Sequence, residues 1–206
     1  MGRLTEPYKQ RTIPGWSLAC RRTRWVFALL ICCFLHPREC SAQQTHPTES
    51  QVKAAYLYNF GKFVRWQVAA PGNDSFDICV LGKNPFGSAL ATTVAGEKID
   101  GKPIAVKNIA NPSEAVHCKI LFISASEGNR LKAIFSVARL TNSLTVSDIP
   151  GFTEQGGMIE LLTHEGRIRF QVNVAAINEA KLTVSSELLK VAVKVIGLDQ
   201  AREMSK

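Results

Sequence analysis

The sequence predicts an α/β domain of three layers: a mixed central sheet flanked by helices, with a C-terminal antiparallel hairpin. Three observations carry that expectation. The runs FDICVL at 76–81 and KILFI at 119–123 are almost wholly apolar, as strands buried on both faces are. Segments with helical period and cap residues separate them, the alternation that builds α/β sheets. The pattern then changes. Ile168, Phe170, Val172 and Val174 alternate with Arg167, Arg169, Gln171 and Asn173, which marks a strand with only one face buried.

Residues 1–42 stand apart from this domain. Arg21, Arg22 and Arg24 precede an apolar run of eleven, WVFALLICCFL at 25–35, and Cys40-Ser41-Ala42 follows as a small-residue cleavage site. The run is too short to span a bilayer as a mature helix, so an export signal cut after Ala42 is expected, with an uncleaved anchor as the alternative. Cleavage would leave 18 Lys and Arg against 15 Asp and Glu, a net charge of +3. A charge that small and mixed argues against nucleic acid as a partner. It would also leave two of the six cysteines, Cys79 and Cys118. An even number in an exported chain favours a disulfide over two buried thiols.

After a polar leader, 43–48, Thr48 and Gln51 form a capping box for a helix over 49–66. Val52, Ala55, Tyr56, Phe60 and Phe63 would face inward. Tyr58 and Trp66 fall on other faces and become candidate contacts for a partner. A loop at 71–75 leads to the strand 76–81. Gly82 and Gly87 have phosphate-loop spacing, but no Lys-Ser or Lys-Thr follows, so no nucleotide site is expected. Asn84-Pro85 would cap a helix running to 94, and a strand is expected at 104–109. Asn111-Pro112-Ser113-Glu114 repeats the cap device before a very short helix ending near His117. After the strand 119–123, Ser124 and Glu127 would box a helix to 140 with Leu131, Phe135 and Ala138 inward. A short strand at 144–147 and a Gly-rich loop at 149–157 bring the chain to the hairpin.

Within the hairpin, a two-residue turn at Glu165-Gly166 puts Ile159 and Leu161 on the face of Phe170 and Val172. It sets Glu160 with Gln171, diagonal to Arg169. A three-residue turn would drop Glu160 among apolar side chains, where an unpaired carboxylate is costly. A short helix is expected after Val174. Ser185 or Ser186 would cap a last helix with Leu188, Leu189, Ala192, Val195 and Ile196 on one face, ended by Gly197. The domain thus covers 49–197, with a polar tail at 198–206.

Chemistry is sparse. His46, His117 and His164 have no second ligand at metal spacing, and the serines sit where caps are needed. No paired carboxylates stand out, so neither an enzyme nor a cofactor is expected. Arg169 and Asn173 could together hold a carboxylate or phosphate, although such residues are more often structural.

The helix KAAYLYNFGKFVRW at 53–66, the strand FDICVLG at 76–82 and the block GGMIELL…RIRFQVN…A…L.VSSELLKVA at 156–192 resemble the YfiR-like periplasmic family over nearly all of the mature chain. A cysteine pair placed like Cys79 and Cys118 is similar to the family's first disulfide. The second pair, around the Gly-rich loop, has no counterpart here, and Gly61 stands where alanine is expected. The resemblance implies regulation: a periplasmic, dimeric repressor that binds the periplasmic domain of an inner-membrane diguanylate cyclase and lowers cyclic-di-GMP and biofilm output. It also implies a second partner, an OmpA-like outer-membrane lipoprotein that sequesters the repressor. Tyr58, Trp66 and the loop glycines Gly156 and Gly157 are the candidate partner contacts. The alternative is a small-ligand module serving a membrane sensor kinase or receptor, with Arg169 and Asn173 in its site.

Overall fold

A computed structural model describes residues 46–67, 74–140 and 142–198. The expected export signal, most of the 71–75 loop and most of the polar tail lie outside them. The described elements are β1 (Val64–Trp66), β2 (Phe76–Leu81), β3 (Lys98–Ile99), β4 (Lys102–Ile109), β5 (Cys118–Ile123), β6 (Leu144–Ser147), β7 (Ile159–His164), β8 (Arg167–Asn173), β9 (Leu182–Val184) and β10 (Lys194–Ile196). The helices are α1 (Glu49–Phe63), α2 (Ala89–Val94), α3 (Leu131–Leu140), α4 (Val174–Glu179) and α5 (Ser186–Val191), with 3-10 turns at Pro112–His117 and Ala125–Arg130.

Eight strands form one mixed sheet in the order β10-β8-β7-β6-β5-β2-β4-β3, and β1 pairs with β9 beside it. The continuously apolar runs are its centre. All six residues of β2 are buried, between parallel neighbours β4 and β5. Alternate side chains leave the sheet on opposite sides, so each central strand feeds two cores. Ile78, Val80, Ile120 and Phe122 join Leu57 and Phe60 of α1 on one side. Cys79, Leu81, Leu121 and Ile123 meet Leu131, Ile134 and Phe135 of α3 on the other. The three expected layers are present.

The hairpin forms in the expected register. Glu165 (φ 49°) and Gly166 (φ 70°) make a two-residue turn with both residues left-handed, and His164 opposes Arg167. Ile159 sits across from Val172, Leu161 from Phe170 and Glu160 from Gln171. The expected pairing of Cys79 with Cys118 is also present, with Cα atoms 5.8 Å apart.

Several expectations fail at element ends. The first helix stops at Phe63 rather than 66, because Val64, Arg65 and Trp66 pair with Val184, Thr183 and Leu182. Its buried face is Ala54, Leu57, Phe60 and Gly61, and Phe63 is 38% exposed. Gly61 lies so close to Ile99 and Phe76 that a Cβ there would overlap Ile99, which accounts for glycine where alanine was expected. Asn84 does not start a helix. Its side chain accepts from Phe86 N (2.8 Å) in a local turn, and the helix begins at Ala89. Ser124 makes no side-chain cap, and Glu127 pairs with Arg130 inside a 3-10 turn before α3.

The C-terminal end departs most. The last helix, capped by Ser185 on Leu188 N (3.3 Å), is only six residues long. The following residues, expected to continue it, form β10 parallel to β8, with Val195 beside Val172. The hairpin is therefore internal to the sheet, not its edge. Val174 begins α4 instead of ending the strand.

Candidate functional site

In open α/β sheets, ligands bind outside the carboxyl ends of the strands where the strand order reverses. Here that point lies between β2 and β5, and the chain fills it with its own side chains. Lys83 N donates to Ser126 Oγ (3.0 Å), and a Cβ on Gly82 (φ 87°) would overlap both Ser126 and Glu127. The buried Glu127 carboxylate is taken by Arg130, whose Nη2 also reaches Ala110 O (2.9 Å). Among the described residues, no group of three or more His, Cys, Asp or Glu could hold a metal ion.

Next along the same end of the sheet is the Gly-rich loop, which Glu160 pins in place. Glu160 is buried, with 5% of the residue exposed. It accepts from Gly151 N (3.0 Å), Thr153 N (3.2 Å), Thr153 Oγ1 (3.2 Å) and Gln171 Nε2 (2.8 Å). Arg169 lies opposite Leu162 and takes no part in this cluster. A buried carboxylate is tolerated here because four donors replace its hydration. Phe152 packs below, with its ring centroid 5.3 Å from that of Phe135.

Gly157 is buried beneath the Phe152 ring, which a Cβ would overlap. It therefore contributes a close approach inside the loop rather than outer surface. Gly156 is partly exposed at φ 104°, a conformation that glycine tolerates. Gly157→Ala is expected to cost about 2 kcal/mol by overpacking, since Phe152 is fully buried and has nowhere to move. Urea unfolding checks this, and an unchanged midpoint would contradict the packing.

The other sequence candidates separate. Tyr58 is half-buried, donates to Glu97 and lies under Lys62 Nζ, 4.0 Å from its ring centroid. Trp66 meets Phe76 edge to face at 5.2 Å, and its buried Nε1 has no hydrogen-bond partner among the described residues. Asn173 is occupied internally: Oδ1 caps α4 at Ala176 N (3.1 Å) and Nδ2 donates to Thr153 O (2.9 Å). Arg169 is exposed four residues away, and the structure does not join the two into one site.

Arg169 instead lines an open cleft of about 580 Å³ with Arg167, Ile168 and Thr163, facing His46, Pro47, Glu49 and Val52 at the start of α1. Arg167 belongs to this cleft but was not a sequence candidate, because the hairpin period marks it only as a polar position. Beside the cleft, Lys53 Nζ bridges Glu49 (2.6 Å) and Asp148 (2.7 Å). Burial alone would lower the Lys53 pKa, but its two carboxylate partners outweigh that and raise it. An apolar patch also escaped the sequence reading. Val191, Val193 and Leu198 are exposed around the edge strand β10.

A family model described as YfiR/HmsC-like matches residues 50–193. No curated protein matches the chain. Among solved structures, a conserved domain protein from Vibrio cholerae O1 biovar El Tor is similar at 10% identity and a TM-score of 0.51, over 72% of this chain and 60% of that one. The ABC domain in complex with L-Trp from Streptococcus pneumoniae is similar at 11% identity and a TM-score of 0.48, over 71% of this chain and 60% of that one. The chain thus spans about three-fifths of each of these structures, and the first likeness is one of fold. No described helix is long and apolar enough to cross a membrane.

Proposed function

The chain belongs to the YfiR/HmsC-like family, and from that premise we propose that it is an exported periplasmic regulator that binds and represses an inner-membrane diguanylate cyclase. Family membership over residues 50–193 is the observation that carries this reading. The Cys79–Cys118 bridge supports it, since disulfides persist in oxidising compartments. Export would remove residues 1–42 by cleavage after Ala42.

Repression needs only differential affinity. A protein that binds the cyclase's inactive periplasmic conformation more tightly than the active one shifts the population by that difference and no more. A homodimer would match a two-fold cyclase, and capture by an OmpA-like outer-membrane lipoprotein would relieve repression by removing the free repressor. Within this proposal Tyr58, Trp66 and the exposed part of the Gly-rich loop at Gly156 remain candidate contacts.

Deleting the gene in its native host is expected to raise cyclic-di-GMP several-fold, with restoration by the exported chain. The periplasmic domain of the cyclase should co-purify with it. Unchanged cyclic-di-GMP, together with no cyclase domain recovered, would sink the proposal.

A further inference from the structure

The cleft lined by Arg167 and Arg169 carries a more specific claim about the partner. It lies along a stretch of sheet edge that β10 leaves open. β10 covers only Gln171, Val172 and Asn173 of β8, and Val193 N adds a bond to Phe170 O (2.9 Å). Among the described residues, no strand pairs with residues 167–169 on that side. The carbonyl of Ile168 is satisfied from α1 instead, by Tyr56 Oη at 3.1 Å. The opposite wall is the first turn of α1, where Thr48 caps Gln51 N (3.3 Å).

Charge then distinguishes this edge from an ordinary one. Arg167 and Arg169 are both exposed, and neither has an ion-pair or hydrogen-bond partner among the described residues. The carboxylate on the facing wall, Glu49, is engaged by Lys53 (2.6 Å) and does not neutralise them. His46 lies on the same wall. Two guanidiniums two residues apart on a strand repeat at roughly 6.6 Å along its axis, the spacing of alternate side chains on any extended chain. Guanidinium groups bind carboxylates in bidentate fashion. The open cleft, with Pro47 and Val52 on the wall that faces the two arginines, fits a chain lying across the surface better than a small molecule enclosed by it.

We propose that this cleft binds an extended acidic segment of the partner protein, with Arg167 and Arg169 taking up two of its carboxylates. The inference rests on the regulatory reading only for the identity of the partner; the site itself stands on the geometry.

The test is fluorescence anisotropy at low salt with a labelled hexaglutamate peptide and the purified protein. Binding should weaken at least tenfold in the Arg167→Gln/Arg169→Gln double variant. A Lys62→Gln/Lys98→Gln control, which removes the same charge elsewhere, should retain it. No peptide binding by the wild type, or equal weakening in both variants, would overturn the site. Displacement by citrate or inorganic phosphate at concentrations well below those of the peptide would overturn it in favour of a small-anion site. Circular dichroism of the double variant must match the wild type, and Arg167→Lys/Arg169→Lys should recover part of the affinity if it does. Arginine-dependent peptide binding alongside unchanged cyclic-di-GMP in the deletion strain would leave the site standing and remove only the cyclase. Loss of both peptide binding and cyclase repression in the double arginine variant, with both kept in the control, would support the site and the regulatory reading together.

Discussion

Replacing both Cys79 and Cys118 with alanine is expected to lower the melting temperature of the oxidised protein by about 10 °C. The bridge closes a sequence separation of 39 residues, and the loop-entropy model assigns such a closure about 4 kcal/mol. For a domain of this size each kcal/mol moves the midpoint by about 2–4 °C. Alanine is the proper substitution, because Cys79 is fully buried and Cys118 is 3% exposed on the apolar side shared with Leu121 and Phe135. A serine hydroxyl there would add a desolvation cost unrelated to the bridge. The measurement is thermal unfolding with and without reductant. Wild type should lose most of the difference under reductant, and the double variant should melt identically in both. Equal melting of wild type under the two conditions would contradict a stabilising bridge.

Glu160→Gln should destabilise the protein by about 2–3 kcal/mol, nearly as much as Glu160→Ala, although glutamine has the same shape. Both carboxylate oxygens accept from N–H donors: Oε1 from Gly151 N, and Oε2 from Thr153 N and Gln171 Nε2. Whichever way an amide is turned, its NH2 group faces a donor, and at least one buried N–H loses its partner. The loss should be local as well as global. Amide exchange at Gly151 and Thr153 should accelerate more than exchange at Ile78 or Val80 in β2, whose side chains lie in the core on the α1 side of the sheet. A glutamine variant with wild-type stability and protected loop amides would show that the carboxylate does not hold the loop.

The central sheet was legible because continuous apolar runs have few alternatives. FDICVL and KILFI can be buried only between neighbours on both faces, and that is where β2 and β5 lie. The hairpin register was legible for a related reason: a one-residue slip would have exchanged every buried and exposed side chain between Ile159 and Val172. Helix ends were not. Capping residues announce that a turn can start, and Asn84 and Ser124 do sit at turns, but one acceptor does not determine whether an α-helix or a 3-10 turn follows. The candidate site was read least well. Asn173 shares a strand face with Arg169, yet it spends both amide atoms on α4 and the 149–157 loop, an engagement that no sequence period reveals.

By itself the sequence determined the layers, the hairpin pairing and the cysteine pair, since each depends on local period, turn chemistry or a count of residue types. Only the tertiary structure decided that residues 64–66 and 182–184 pair, that 194–196 join the sheet, and that Arg167 and Arg169 open onto the start of α1. Those short stretches are stabilised by partners more than a hundred residues distant or by a neighbouring strand's free edge. Their own three residues carry too weak a preference to announce the outcome.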